Sequence, residues 1–227
     1  MKQKNYSLFN LKFLDKIISM KRLEIFYLIK NNINNAKIKQ ILDVGTTEED
    51  SLESSNFFVK KFKNVKIKKS ITDQSIDKSI FNNTLQKSIT KNFSKSEITK
   101  FSSDLVISSA TIEHVGNYRN QIKMIKNIML LTKKFFFITT PSRKFPVDFH
   151  TKLPLIHLLP KQIHRLILKL LFLKEYSKEE NLNLLDEYDI KEMIKKINNK
   201  KFEIKIMKIK LVGITSNLII FGKLLKL

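Results

Sequence analysis

Short, fully apolar runs alternate with segments of helical period along this chain. That alternation limits its fold more than any other feature. KIKQILDVG (37–45) holds an apolar run that ends in Asp43-Val44-Gly45, and SDLVISSA (103–110) and KFFFITTP (134–141) follow it. Apolar residues stand side by side in these runs, the pattern of strands buried on both faces. NVKIKK (64–69) reads as a further strand. Leu8, Leu11, Leu14, Ile17, Ile18, Leu23, Phe26, Leu28 and Ile29 recur at helical spacing, as do the apolar residues of QIKMIKNIMLLTKK (121–134) and LLDEYDIKEMIKKIN (184–198). Such an order predicts a mostly parallel sheet with helices on both faces. The last 24 residues before Lys226 read as two strands around Gly213 with no helix between, so one closing strand must run antiparallel. Residues 74–101, rich in Ser, Lys and Asn, give no clear element.

A chain of 227 residues suits one domain. Residues 1–36 are expected to form an N-terminal helical segment, and 37–227 the sheet domain. All four prolines (Pro141, Pro146, Pro154, Pro160) fall in one stretch, which marks an irregular insertion at 142–180 after the fifth strand. Cysteine is absent, so disulfides, thiolate catalysis and cysteine metal sites are excluded together. With only four histidines, no metal site is expected. The net charge of +22 admits a polyanionic partner, but only Arg22, Arg119, Arg143 and Arg165 could make the bidentate contacts common in nucleic-acid readers. Compositional drift is the plainer source of the lysine excess. No apolar stretch of spanning length and no signal-peptide pattern is seen, so the expected location is cytoplasmic.

Glycine is rare, at four positions, and Gly45 directly follows the first strand. In open α/β sheets ligands bind beyond the carboxyl ends of the strands, where a bare backbone allows close approach. Thr46 and Thr47 follow, so both the dinucleotide fingerprint and the P-loop are excluded. An acid two residues before this glycine, Asp43, suits a ligand with a cationic amine. It suits a turn cap equally.

ILDVG (41–45), SSDLVISSATIEHVG (102–116) and KKFFFITTPSRKFPVDFHTKLPLIHLLP (133–160) together resemble the class I S-adenosylmethionine-dependent methyltransferases, and among them bacterial type 11-like members. The likeness spans roughly residues 38–223. It implies a Rossmann-like seven-stranded sheet with an antiparallel last strand, the cofactor S-adenosylmethionine, and methyl transfer to a small-molecule, glycan or lipid-linked acceptor. RNA methylation and a non-catalytic binding role are the alternatives. Carried over by position, the resemblance implies that Asp43, Gly45 and Thr46 meet the cofactor's amino-acid end and Asp73 its ribose. Ser108 and Ser109 would border the methyl donor, and Glu113 would lie beside it. The family's adenine contact has no clear counterpart, and Asn92 is the nearest polar residue. Motif I also lacks its later glycines.

His114 is suited to remove a proton from an acceptor, because an unperturbed imidazole titrates near pH ~6.5. It also fits a helix-start residue without chemistry. Arg143, Asp148, His150 and His157 lie in the insertion and suit a polar or anionic acceptor; an ordinary polar loop is the plainer alternative. Residues 155–174 pair apolar positions with Lys161, His164, Arg165, Lys169 and Lys174. Such a helix lies on an anionic membrane or packs on its own core.

Overall fold

The computed structural model describes residues 12–34, 36–47, 56–76 and 80–225, with side chains from 16 onward. Leu8 and Leu11, and most of the acidic stretch after Thr47, lie outside the described residues. Seven strands form one sheet: β1 (Gln40–Val44), β2 (Ile67–Thr72), β3 (Asn83–Gln86), β4 (Ser103–Ser109), β5 (Thr132–Pro141), β6 (Phe202–Leu211) and β7 (Ile214–Leu224). Their order is β3-β2-β1-β4-β5-β7-β6. Pairing is parallel from β3 through β5, and β7 runs antiparallel between β5 and β6. The strand pair expected at the C-terminus is therefore present, with Val212 and Gly213 at its turn, both at positive φ.

Helices cover both faces: α1 (Lys12–Ile33), α2 (Phe57–Lys61), α3 (Lys95–Phe101), α4 (Tyr118–Leu130), α5 (Lys161–Leu170) and α6 (Glu187–Ile197). Alternate residues of each strand feed opposite cores, because strand side chains have a period of two. Leu42, Val44, Val106, Phe136 and Ile138 pack against Met124, Ile125 and Ile128 of α4 and Ile190 and Met193 of α6. Ile41, Leu105, Ile107, Phe135 and Phe137 pack against Ile25, Ile29 and Ile33 of α1 and Phe58 of α2. Each fully buried side chain of this kind contributes roughly 1.5–3 kcal/mol. The N-terminal helix therefore packs into the same core as the sheet.

The segment 74–101, unreadable in the sequence, holds β3 and α3. Strand β3 is short and only half-buried, so it lacks the apolar run that announces a central strand. Ser94 and Glu97 close a capping box at the start of α3. Ser103 begins β4 immediately after α3, and β4 is buried through Ser108. Gly222 on β7 faces the ring of Phe136, which occupies the space a Cβ would need. No helix among the described residues is long and apolar enough to cross a membrane.

Candidate functional site

A cavity of about 860 Å³ opens beyond the carboxyl ends of β1, β2, β4 and β5. One wall comes from the sheet: Gly45 and Thr47 after β1, Asp73 after β2, Ser88–Thr90 after β3, Ser109 at the end of β4 and Thr111 beyond it. The opposite wall comes from the insertion and its return, through Phe149, His150, Tyr176, Glu180 and Asn181. Helix α1 adds Ile18, Lys21, Arg22 and Ile25.

Gly45 has φ +87°, a conformation that disfavours any side chain. Its backbone N–H donates to the Ile71 carbonyl at 2.9 Å, which ties the turn to β2. The backbone here is not bare, as the sequence suggested. Thr111 packs over the glycine, and its hydroxyl and methyl occupy the place a Cβ would take. Glycine is thus required by Thr111 as well as by φ.

Asp43 lies under the cavity floor rather than in its wall. It is 8% exposed, and its carboxylate accepts from the Thr46 hydroxyl at 2.7 Å. Thr46 in turn accepts from Ser70, and its carbonyl accepts from Thr72. Burial pushes the Asp43 carboxyl up to about 6, against the opposing Thr46 hydrogen bond. Thr46, 1% exposed, is spent on this network and does not line the cavity; Thr47 does. Asp73 is exposed and borders the cavity, as does Ser109, whereas Ser108 is fully buried and donates to the Val44 carbonyl. Asn92 is exposed and off the cavity, and Ser88, Ile89 and Thr90 stand at its edge instead.

The most charged part of the site is a buried cluster of Glu113, His114, Asp148 and His150. His150 Nδ1 lies 3.2 Å from Asp148 Oδ1, and its Nε2 lies 3.4 Å from Glu113 Oε1. Burial alone would discharge this ring. The hydrogen bond to Asp148 and the contact with Glu113, with their charges, outweigh burial and push His150 up to about 10. Burial also disfavours both carboxylates as anions, but His150 and, for Asp148, Thr151 hold them below the usual range. Glu113 Oε2 accepts from Thr140 at 2.9 Å, while Oε1 has no hydrogen-bond partner. Glu113 is fully buried and does not line the cavity, so its expected contact with the cofactor is replaced by support of His150.

His114 is perpendicular to His150, with ring centroids 4.8 Å apart. Burial, and then the His150 cation, lower its pKa, so the ring is neutral at pH 7. Nδ1 lies 2.6 Å from the Asn181 carbonyl. A carbonyl only accepts, so Nδ1 carries the proton and Nε2 keeps its lone pair. With His114 neutral and His150 charged, the cluster holds one surplus negative charge. Glu113, His114 and His150 also bring one ligand-type atom each to within 4.8 Å of one another, a grouping able to hold a metal ion.

Arg143 and His157, expected beside an acceptor, do not line this cavity. Arg143 donates to the carbonyls of His157 and Leu159, at 3.0 and 2.7 Å. His157 is 1% exposed, and its Nε2 lies 2.6 Å from the Phe145 carbonyl. Both close the insertion on itself, because its proline-rich backbone leaves carbonyls that helices or strands would otherwise satisfy. Of the insertion residues singled out from sequence, only His150 reaches the cavity. Phe149, Tyr176 and Asn181 were not foreseen; Phe149 adjoins His150, but nothing in the sequence around 175–181 marks it as a wall.

No protein-family model and no curated protein sequence matches the chain. Solved structures do. A small RNA methyltransferase, HEN1, matches at TM-score 0.58 and 11% identity, over 92% of this chain and 25% of that one. The magnesium protoporphyrin IX methyltransferase ChlM from Synechocystis PCC 6803, crystallised with S-adenosylhomocysteine, matches at 0.53 and 11% over 96% and 90%. The N-methyltransferase NodS from Bradyrhizobium japonicum matches at 0.52 and 8% over 91% and 97%. The chain spans about a quarter of the length of the HEN1 chain but nearly all of NodS. Strand order, the antiparallel seventh strand and these likenesses give the chain the fold of the class I S-adenosylmethionine-dependent methyltransferases.

Proposed function

We propose that this protein transfers a methyl group from S-adenosylmethionine to a small-molecule, glycan or lipid-linked acceptor. One observation carries the reading. The cavity at the strand ends joins a sheet-side wall suited to a nucleoside, with the neutral His114 just beyond β4, to an opposite wall on which His150 is clamped by buried carboxylates. At about 860 Å³ it lies toward the upper end of small-molecule sites, which leaves space for an acceptor beside a cofactor.

The residues present fit the cofactor. Asp73, exposed at the end of β2, offers a carboxylate to ribose hydroxyls. Ser88, Ile89 and Thr90 offer an apolar contact flanked by hydroxyls to a base. The Gly45 turn and Ser109 border the amino-acid end. The cofactor supplies an electrophilic methyl on a positively charged sulfur. The protein's work is alignment and exclusion of water. His114 Nε2 is the group placed to take a proton from an acceptor hydroxyl or amine. His150, charged and clamped between Asp148 and Glu113, holds its ring beside His114, and the cluster's surplus negative charge favours a cation nearby.

Calorimetry with S-adenosylmethionine tests the cofactor, and label transfer from its methyl group to candidate acceptors tests the reaction. His114→Asn is expected to keep cofactor affinity and lower turnover about 10²–10⁴-fold, the usual worth of a general base. No heat at millimolar cofactor overturns the proposal. RNA as acceptor is the second reading, supported by the net charge of +22 and by HEN1's being a small RNA methyltransferase. It requires RNA affinity that falls steeply with salt.

A further inference from the structure

Helix α5 is mounted the wrong way round for a soluble surface. Its apolar residues Ile163, Leu166 and Leu170 recur at i, i+3 and i+7 and so share a face, yet they are 47%, 57% and 68% exposed. The side it turns inward carries His164 and Leu168, both buried. Lys161 donates to the Asn183 side chain, and Arg165 pairs with Glu179 at 3.4 Å. An amphipathic helix ordinarily buries its apolar stripe in the core. Here Lys161 and Arg165 turn toward the protein, while Ile163, Leu166 and Leu170 face solvent.

The neighbouring turns extend the same surface. Of the sixteen exposed large apolar side chains among the described residues, eight fall between Leu155 and Phe172. Leu155 and Phe172 sit at its two ends, 58% and 86% exposed, and both have left-handed backbones with φ of 61° and 59°. Bulky residues rarely adopt that conformation. At Phe172 the left-handed turn closes the helix, with the Phe172 and Leu173 N–H groups donating to the Lys169 and Leu168 carbonyls, and at Leu155 the N–H donates to the Pro146 carbonyl; both side chains nonetheless stand out in water. Beneath, Leu153, Leu168 and Leu173 form a small buried core that fixes the patch to Tyr176 at the cavity wall.

Charge identifies the occupant. From Thr151 to Lys174 the chain has no Asp or Glu, while it carries Lys152, Lys161, Arg165, Lys169 and Lys174. Lys169 and Lys174 are exposed. A second copy docking through the same face would set the exposed Lys169 and Lys174 against their own counterparts, since a two-fold interface pairs a patch with itself. An anionic lipid surface complements both the basic rim and the apolar face. We infer that the face formed by Leu155, Ile163, Leu166, Leu170 and Phe172 docks this protein on an anionic membrane surface. The inference is independent of the methyl-transfer reading. Joined to it, it favours an acceptor presented at that surface.

The test is flotation of the full chain with phosphatidylcholine vesicles with and without one part in three phosphatidylglycerol, roughly. Binding is expected to the anionic vesicles and to fall with salt. Lys169→Gln and Lys174→Gln should each weaken it about fivefold. Leu166→Glu with Phe172→Glu should abolish it, with the circular dichroism spectrum and cofactor binding unchanged because both side chains are exposed. Phe172→Gly separates docking from folding. Glycine accepts the left-handed backbone, so Tm holds or rises while vesicle binding drops. Failure of the wild-type chain to float with anionic vesicles overturns the inference. So does binding that survives the double glutamate variant, or a dimer in solution that this variant dissolves.

Discussion

Asp148→Asn alters little volume and removes one buried charge, so it isolates the electrostatics of the cluster. Asp148 is 3% exposed. Its Oδ1 accepts from the His150 backbone at 3.1 Å and faces His150 Nδ1 at 3.2 Å. Its Oδ2 accepts from the Thr151 backbone at 3.2 Å and from the Thr151 hydroxyl at 2.6 Å. An amide can offer its oxygen to only one of these pairs and sets its NH₂ against donors in the other. The rise of His150 from 6.5 to about 10 is worth roughly 5 kcal/mol of preference for the charged ring at about 1.36 kcal/mol per pH unit, and Asp148 is the larger of its two carboxylate partners. Breaking one side of a buried pair costs about 3–5 kcal/mol. For a chain of this size that lowers Tm by roughly 6–20 °C. The pH dependence carries the signature. The His150 contribution is full below about pH 6.5 and is lost as pH rises toward about 10, because the folded pKa is raised. The Asp148 contribution is full above about pH 4 and is lost as pH falls, because the folded pKa is depressed. The gap between wild type and variant should therefore be widest near pH 5–7 and narrow on both sides. Urea unfolding followed by circular dichroism measures it, since the chain has no tryptophan for fluorescence. A gap that is flat from pH 3 to 9, or below about 1 kcal/mol at pH 6, refutes the ion-paired description.

Gly45→Ala should cost about 2–4 kcal/mol, part from the positive φ and part from the clash with Thr111. In a Thr111→Ala background only the clash is relieved, so a double-mutant cycle by thermal unfolding should show favourable coupling of about 1–2 kcal/mol. The raised Asp43 pKa makes its ionised form a burden as pH climbs through about 6, so Asp43→Asn should stabilise the protein at pH 8 by about 1–2 kcal/mol and have little effect at pH 4. Val212 holds φ 49° at the β6–β7 turn while 91% exposed, so Val212→Asn should raise stability by about 0.5–1 kcal/mol in the same unfolding assay. A divalent cation entering among Glu113, His114 and His150 must displace the His150 proton. Zinc titrated at pH 7 should then release about one proton per ion bound, read as a buffer-dependent heat that His150→Gln abolishes.

The sequence alone settled the architecture. Runs such as Val106–Ile107 and Phe135–Ile138 have no polar side to give water, so they must lie inside a sheet covered twice over. Two such segments without a helix between them had to turn back at Gly213. It also placed Gly45, Asp73, Ser109 and His114 at strand ends, because the fold class fixes where ligands approach. Tertiary structure decided which polar side chains face the cavity and which are consumed in holding it up. Asp43, Thr46, Glu113, Arg143 and His157 have the chemistry of binding residues, yet each is spent on a neighbour's hydroxyl, ring or carbonyl. That outcome depends on hydrogen bonds between residues up to tens of positions apart, and no local spacing encodes it. The same holds for α5. Its periodicity announces an amphipathic helix, but only its packing reveals that the apolar stripe faces outward.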